Sequence, residues 1–306
     1  MIFMNDKIEK VYFEIIQNHF PEISSNEVTA YYQGNDYDVF VVKNEVVFRF
    51  PKEKRAIDPK RSKFLKLFSS TSPLTLPLIN IMRAQETGID YEMNDFIPGV
   101  SFLPSIAKSF TIKELMTIAE KLGKFLTTLH SFSLDEARKL NIDESDPSTF
   151  WQYMEQNLYP KFEKTVFPHI PSEEQVWIKK LFDSYISTIK ANPFELRLIH
   201  SDMWVFHIIV DPEKHVLSGL IDFGLRIHDP ANDFKAFEYY GSDFVQEVYK
   251  NYSLPIDKDF DKRRLFYTGH DEVFELGRWL DRGNQDKIEE CKVSLAQYIN
   301  THPLRS

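Results

Sequence analysis

The sequence predicts an α+β fold, with a small β-rich N-terminal lobe, a larger helical C-terminal lobe, and a short β hairpin set into the latter with polar residues around it. Three observations predict it. Residues 1–93 are rich in β-prone segments, helical periodicity takes over after Pro98-Gly99, and a β island at 196–221 interrupts the helical stretches. With 306 residues, 42% hydrophobic and 14% aromatic, the chain has ample material for a buried core.

In chain order, strands are expected at 38–43 and 46–50, joined by a turn at Asn44-Glu45. Residues 94–99 read as a hinge between a lobe at 1–93 and a lobe at 100–306. A helix follows in which Leu115, Ile118, Ala119, Leu122, Phe125, Leu126 and Leu129 recur at helical spacing, opened by a Thr111/Glu114 capping box. Ser172 and Gln175 suggest a second capping box, ahead of the apolar positions Val176, Ile178, Leu181, Phe182, Tyr185 and Ile189. Further helices are expected at 233–249 and 288–299. The island itself comprises strands at 196–199, 208–210 and 216–221, with a turn at Asp211-Pro212-Glu213-Lys214.

Composition excludes several function classes. The single cysteine, Cys291, rules out an internal disulfide framework, and no Cys/His spacing suits a structural zinc. No apolar run is long enough to span a bilayer, and the first residues lack the basic-then-apolar order of a signal peptide, so a soluble cytoplasmic protein is expected; a monomer is expected as well. A formal net charge of -9 argues against a general nucleic-acid binder, whose phosphate partner demands excess Lys and Arg.

The chemistry concentrates in the island, which reads His200-Ser201-Asp202-Met203-Trp204-Val205-Phe206-His207, then the hairpin, then Ile221-Asp222-Phe223-Gly224. Phosphoryl transfer needs a carboxylate to orient and deprotonate the attacking hydroxyl, and hard ligands to hold magnesium against the phosphates. Asp202 suits the first task. Asp222, with His207 as helper, suits the second, although imidazole is softer than this ion prefers and Asn would be expected. His200 is expected to order the loop by hydrogen bonding, Asp229 to cap a turn beside Pro230, and Trp204 to pack.

His-x-Asp, a ligand five residues beyond the Asp, Ile-Asp-Phe-Gly, and the run Asp229-Pro230-Ala231-Asn232-Asp233-Phe234 together resemble the aminoglycoside phosphotransferase family. The members that modify the 2″ hydroxyl of aminoglycosides, and the macrolide kinases, include proteins with His where most members have Asn, so His207 resembles those branches. The resemblance implies a bilobal kinase-like fold that transfers the terminal phosphoryl of ATP or GTP, with Mg2+, to a substrate hydroxyl. An aminoglycoside is the implied acceptor, with a macrolide or a metabolic alcohol as alternatives. It also implies a nucleotide-covering loop containing Gly34 and Asn35, a phosphate contact from Arg49, and a nucleobase against the backbone near Asp95 and Phe96.

Three departures are visible, one of them Leu225, which directly follows Asp222-Phe223-Gly224 where a polar residue is frequent. Arg49 stands where the family usually carries Lys, and Arg61 where the following helix usually supplies the acidic partner; either Arg49 stands alone or Lys52 takes over. A nucleotide-binding pseudokinase is therefore the competing class, although retention of Asp202 and Asp222 favours an enzyme. The basic cluster Lys52, Lys54, Arg55, Lys60, Arg61, Lys63 and Lys66 reads as a solvated face near the phosphates. For a cationic acceptor the expected contacts are Asp233, Glu238, Glu272 and Glu275, with Asp243 and Asp271 also in the acidic set.

Overall fold

The computed structural model describes residues 6–32, 36–52 and 57–304, with side chains from residue 10 onward. The strands are β1 (Val28–Tyr31), β2 (Tyr37–Val42), β3 (Val46–Pro51), β4 (Ile79–Arg83), β5 (Asp90–Asp95), β6 (Val100–Ser101), β7 (Arg197–Ile199), β8 (Ile208–Asp211), β9 (Val216–Leu220) and β10 (Arg226–His228). The α-helices are α1 (Asp6–His19), α2 (Lys60–Phe68), α3 (Pro104–Ala107), α4 (Ile112–His130), α5 (Leu134–Lys139), α6 (Phe150–Tyr153), α7 (Tyr159–Thr165), α8 (Ser172–Ala191), α9 (Ser242–Lys250), α10 (Phe260–Arg282) and α11 (Gln285–Thr301). They form two compact units. One holds residues 1–114 and 206–223, the other 115–205 and 224–306. Among the described residues no helix is long and apolar enough to cross a membrane.

The first unit is built on an antiparallel sheet in the order β1-β2-β3-β5-β4. The β2–β3 hairpin turns through Lys43 and Asn44, both at positive φ, with the Glu45 amide donating to the Val42 carbonyl; this is the left-handed two-residue turn whose twist suits a hairpin. Strand alternation sorts the side chains. Phe40, Val42, Phe48, Phe50 and Tyr91 face Tyr12, Ile15 and Ile16 of α1 and make one buried core, in which Tyr12 stacks on Phe50 at 4.1 Å between ring centroids. Each such side chain stabilises the fold by roughly 1.5–3 kcal/mol. Their strand neighbours Arg49 and Glu92 consequently point to the opposite face. A second sheet of this unit, β6-β8-β9, contains the hairpin of the island.

The second unit is helical. The buried stripe of α4 is Ile118, Ala119, Leu122, Phe125, Leu126 and Leu129, and Thr111 and Glu114 exchange the expected capping hydrogen bonds. The buried residues of α8 include Trp177, Leu181, Phe182 and Tyr185, the last stacked on Phe266 of α10 at 3.7 Å. The first strand of the island, β7, pairs with β10 in a two-stranded sheet separate from the hairpin.

Two expectations are corrected. No capping box opens α8: its cap position is Pro171, and the Gln175 side-chain Nε2 instead donates to the carbonyls of Phe167 and Ile170 at 2.9 and 3.1 Å. The stretch 233–249 is not one helix either. Residues 230–240 wind as a 3₁₀ helix capped by Asp229, and Gly241, at φ 94°, breaks the chain before α9.

Candidate active site

The hairpin β8–β9 positions two of the candidate residues in the first unit. Ile208 pairs with Leu220, and the Ile221 amide extends the ladder by donating to the His207 carbonyl at 3.0 Å. His207 and Asp222 therefore leave adjacent strand ends, and their Nε2 and Oδ2 atoms lie 3.7 Å apart. Asp222 is held at φ 59°, a left-handed conformation sparsely used by non-glycine residues and often found where function dictates the backbone. Phe223 is buried beside Phe64 of α2.

On the face of the first sheet opposite its core, Arg49 of β3 stands directly across from Glu92 of β5. Opposite charges at paired positions attract, and Arg49 Nη1 lies 3.7 Å from Glu92 Oε2. Its other nitrogen donates to Asp222 Oδ1 at 3.1 Å. Arg61 of α2 donates to Glu92 Oε1 and approaches the same Asp222 oxygen at 3.5 Å. Burial alone would raise the Asp222 carboxyl; the charges of Arg49, His207 and Arg61 outweigh it and hold the pKa down at about 2. The missing acidic partner of Arg49 is thus Glu92, on a neighbouring strand rather than on the helix. Lys52 points elsewhere, donating to the Tyr32 carbonyl at 2.8 Å and lying 3.6 Å from Asp38.

Asp222 provides the hard, anionic oxygen that magnesium takes. Ligand atoms of an octahedral ion with bonds of about 2.1 Å lie either about 3.0 Å (adjacent) or about 4.2 Å (opposite) apart. His207 Nε2 stands 3.7 Å from Asp222 Oδ2, between these two spacings, so the imidazole would share the ion only after a small side-chain rotation. Of the nucleotide contacts implied by resemblance, Gly34 and Asn35 lie outside the described residues. The amides of Asp95 and Phe96 donate to the carbonyls of Leu78 and Glu45, so a base contact there would use other atoms.

The second unit carries Asp202. Its loop is organised by Asp233, whose buried carboxylate accepts from the amides of His200 (2.6 Å) and Ser201 (2.9 Å) and is met by His130 Nε2 at 3.1 Å. His130 in turn meets the Tyr252 hydroxyl at 2.8 Å. These contacts outweigh burial and keep the Asp233 pKa low. The Asp202 amide donates to His200 Nδ1 at 3.3 Å, which assigns the proton of that ring to Nε2. Gly224 returns under the loop, its amide on the His200 carbonyl; a Cβ there would fall 2.7 Å from Ser201 Oγ.

Asp202 also lines a cavity of about 720 Å³ that lies within this unit. Its walls include Phe150, Tyr153, Trp204 and Phe274, and it presents four carboxylates, Asp146, Asp202, Asp271 and Glu275, against Arg226 and Lys235. Lys235 Nζ sits 2.6 Å from Asp271. Burial works against the Lys235 charge, but Asp271, with Asp202 and Asp233, keeps its pKa raised.

Three of the expected acceptor contacts, Asp233, Glu238 and Glu272, do not line this cavity. Asp233 is enclosed and spent on its loop. Glu238 pairs with Arg264 and His302, and Glu272 accepts from Tyr239 (2.5 Å) and Ser294 (2.8 Å). Of the four, Glu275 lines the cavity, where it pairs with Arg278. Asp146, Phe150 and Tyr153 were not singled out from the sequence, which carries no local signal that they face Asp202.

Residues 27–254 match the phosphotransferase enzyme family. Among solved structures, the GDP and kanamycin complex of APH(2″)-IIIa is similar, with 22% identity, 95% of this chain and 99% of that one covered, and a TM-score of 0.80. Macrolide 2′-phosphotransferase type I superposes with 15% identity, 96% and 98% coverage and a TM-score of 0.71. The gentamicin complex of APH(2″)-IIa gives 18% identity, 97% of both chains and 0.66. No curated protein matches the chain in sequence. The fold is the kinase-like fold of these structures, and the match over most of its length shows that the chain belongs to the phosphotransferase enzyme family.

Proposed function

We propose that the protein transfers the terminal phosphoryl group of ATP or GTP to a hydroxyl of a small cationic molecule, an aminoglycoside being the leading acceptor. The observation that carries this reading is the pairing of His207 and Asp222 at the hairpin ends beside Arg49, in a chain whose Asp202 lines an acidic cavity. Asp202 accepts the hydroxyl proton as the acceptor oxygen attacks. Arg49 neutralises phosphate oxygens. Asp222 and His207 would hold magnesium, which when bound supplies charge neutralisation on the transferring phosphates. Trp204 and the aromatic walls exclude water and position the acceptor.

The same walls favour a second acceptor class, a macrolide, whose body is largely apolar. Acceptor-dependent nucleotide turnover across aminoglycosides, macrolides and simple alcohols tests the proposal. An aminoglycoside should bind with affinity that falls as salt rises, because attraction between ammonium groups and partly exposed carboxylates is screened. Salt-independent macrolide turnover selects the second acceptor, and a lack of acceptor-dependent turnover in all three classes defeats the function.

A further inference from the structure

Arg61 has no part in the reaction as described, yet it shares both of its carboxylate partners with Arg49, the residue assigned to the phosphates. Two guanidiniums, Arg49 and Arg61, bridge the same two carboxylates, Glu92 and Asp222. The four charges sum to zero, but the two carboxylates differ in access. Glu92 is 1% exposed and fixed on its strand, whereas the Asp222 side chain is 37% exposed. The Tyr37 ring lies 4.5 Å from the Arg49 guanidinium carbon and 6.0 Å from that of Arg61, supporting both planar groups from one side. Glu92 therefore acts as a permanent anchor, and Asp222 as an anion that another anion can displace.

We propose that Arg61 is a second phosphate-binding residue, forming with Arg49 a guanidinium pair anchored by Glu92 that holds Asp222 until nucleotide phosphates take its place. This rests on the phosphoryl-transfer reading and deepens it. Planar guanidinium forks match phosphate oxygens bidentately, so displacement exchanges one set of charge-assisted hydrogen bonds for another. The carboxylate set free by the exchange becomes available beside His207 for a metal ion. Nucleotide then binds appreciably without magnesium, and magnesium alone binds poorly because Asp222 is already neutralised. Each promotes the other's binding by the same factor.

Calorimetric titration of the full chain with non-hydrolysable ATP and GTP analogues, once in EDTA and once with magnesium, tests this. Wild type binds the analogue in EDTA. Arg61→Ala weakens that binding about ten- to a hundred-fold, the usual loss for a charged hydrogen-bond donor, and leaves adenosine and guanosine binding unchanged. Because Arg61→Ala takes the hydrogen-bond donor from the buried Glu92 and leaves it only the Arg49 ion pair, which lowers stability, the double variant Arg61→Ala/Glu92→Gln is measured beside it; it regains the wild-type melting temperature but keeps the loss. If instead the double variant binds metal-free nucleotide as wild type does, Arg61 is only a structural partner of Glu92 and the proposal fails. Binding that requires magnesium and is equal in wild type and Arg61 variants also overturns it, while leaving the phosphoryl-transfer reading intact. Failure of wild type to bind nucleotide in either condition defeats both.

Discussion

Burial of Glu92 to 1% exposure makes the two arginines beside it essential to one another, since a carboxylate in that position must be paired. The two candidate aspartates, Asp202 and Asp222, should fail in different ways. Asp222→Ala is expected to lose magnesium-dependent nucleotide binding and turnover together, because it removes the anionic metal ligand. Asp202→Ala is expected to bind nucleotide normally while transfer falls by roughly a hundred- to ten-thousand-fold, the usual contribution of a general base. Calorimetry beside acceptor-dependent turnover separates the two, and undiminished transfer by Asp202→Ala would overturn the assigned role. His228, on the cavity wall, gives a pH prediction. Burial, joined by the charge of Arg226, pushes its pKa from 6.5 down to about 3. Between those values the unfolded chain takes a proton that the folded chain refuses. Stability is therefore full above pH 6.5 and falls as pH drops toward 3, by at most about 1.4 kcal/mol per pH unit from this residue. Urea unfolding of wild type and His228→Phe at pH 7.5 and 5.0 should show a smaller acid loss in the variant; equal losses would exclude the histidine as the cause. At this scale the candidate residues that the sequence singled out by a fixed spacing were Asp202, His207 and Asp222. Glu92 was not, because its partnership with Arg49 depends on strand register, which no local spacing encodes.

Helices and strands were legible where apolar period and turn chemistry agreed, as in α4 and the β2–β3 hairpin. They were missed where a tertiary contact overrode the local signal, as where Asp233 is drawn into the loop of Asp202 and the chain around it winds as a 3₁₀ turn rather than an α-helix. Gly123 shows how packing decides at this level. Alanine in the middle of a helix normally gains about 1 kcal/mol over glycine. In α4, however, a Cβ at Gly123 would fall 2.6 Å from the Val248 carbonyl oxygen and 2.9 Å from Asn251 Cβ at the end of α9. The clash should outweigh the propensity, so Gly123→Ala is expected to destabilise the protein by about 1–3 kcal/mol in denaturant unfolding. A stabilised variant would show that α4 and α9 tolerate a wider separation.

For the molecule as a whole, a ligand selective for the folded state stabilises it by mass action. Magnesium with ATP or GTP at a hundred times its dissociation constant should contribute about 2.7 kcal/mol and raise the melting temperature measurably. No shift at millimolar nucleotide would count against any nucleotide function. The family was legible because its motifs are contiguous; the cavity wall at residues 146–154 was not, because it meets Asp202 only through space. The discontinuity of the first unit has a consequence for biosynthesis. Strand β6 pairs with β8, and Thr75 bridges Gly219, so residues 1–114 cannot complete their structure until residues 206–223 have been made. At a translation rate of roughly 5–20 residues per second, the nascent unit waits roughly five to twenty seconds for that hairpin. During this interval an unpaired strand is open to the attention of chaperones and to neighbouring chains on the same messenger.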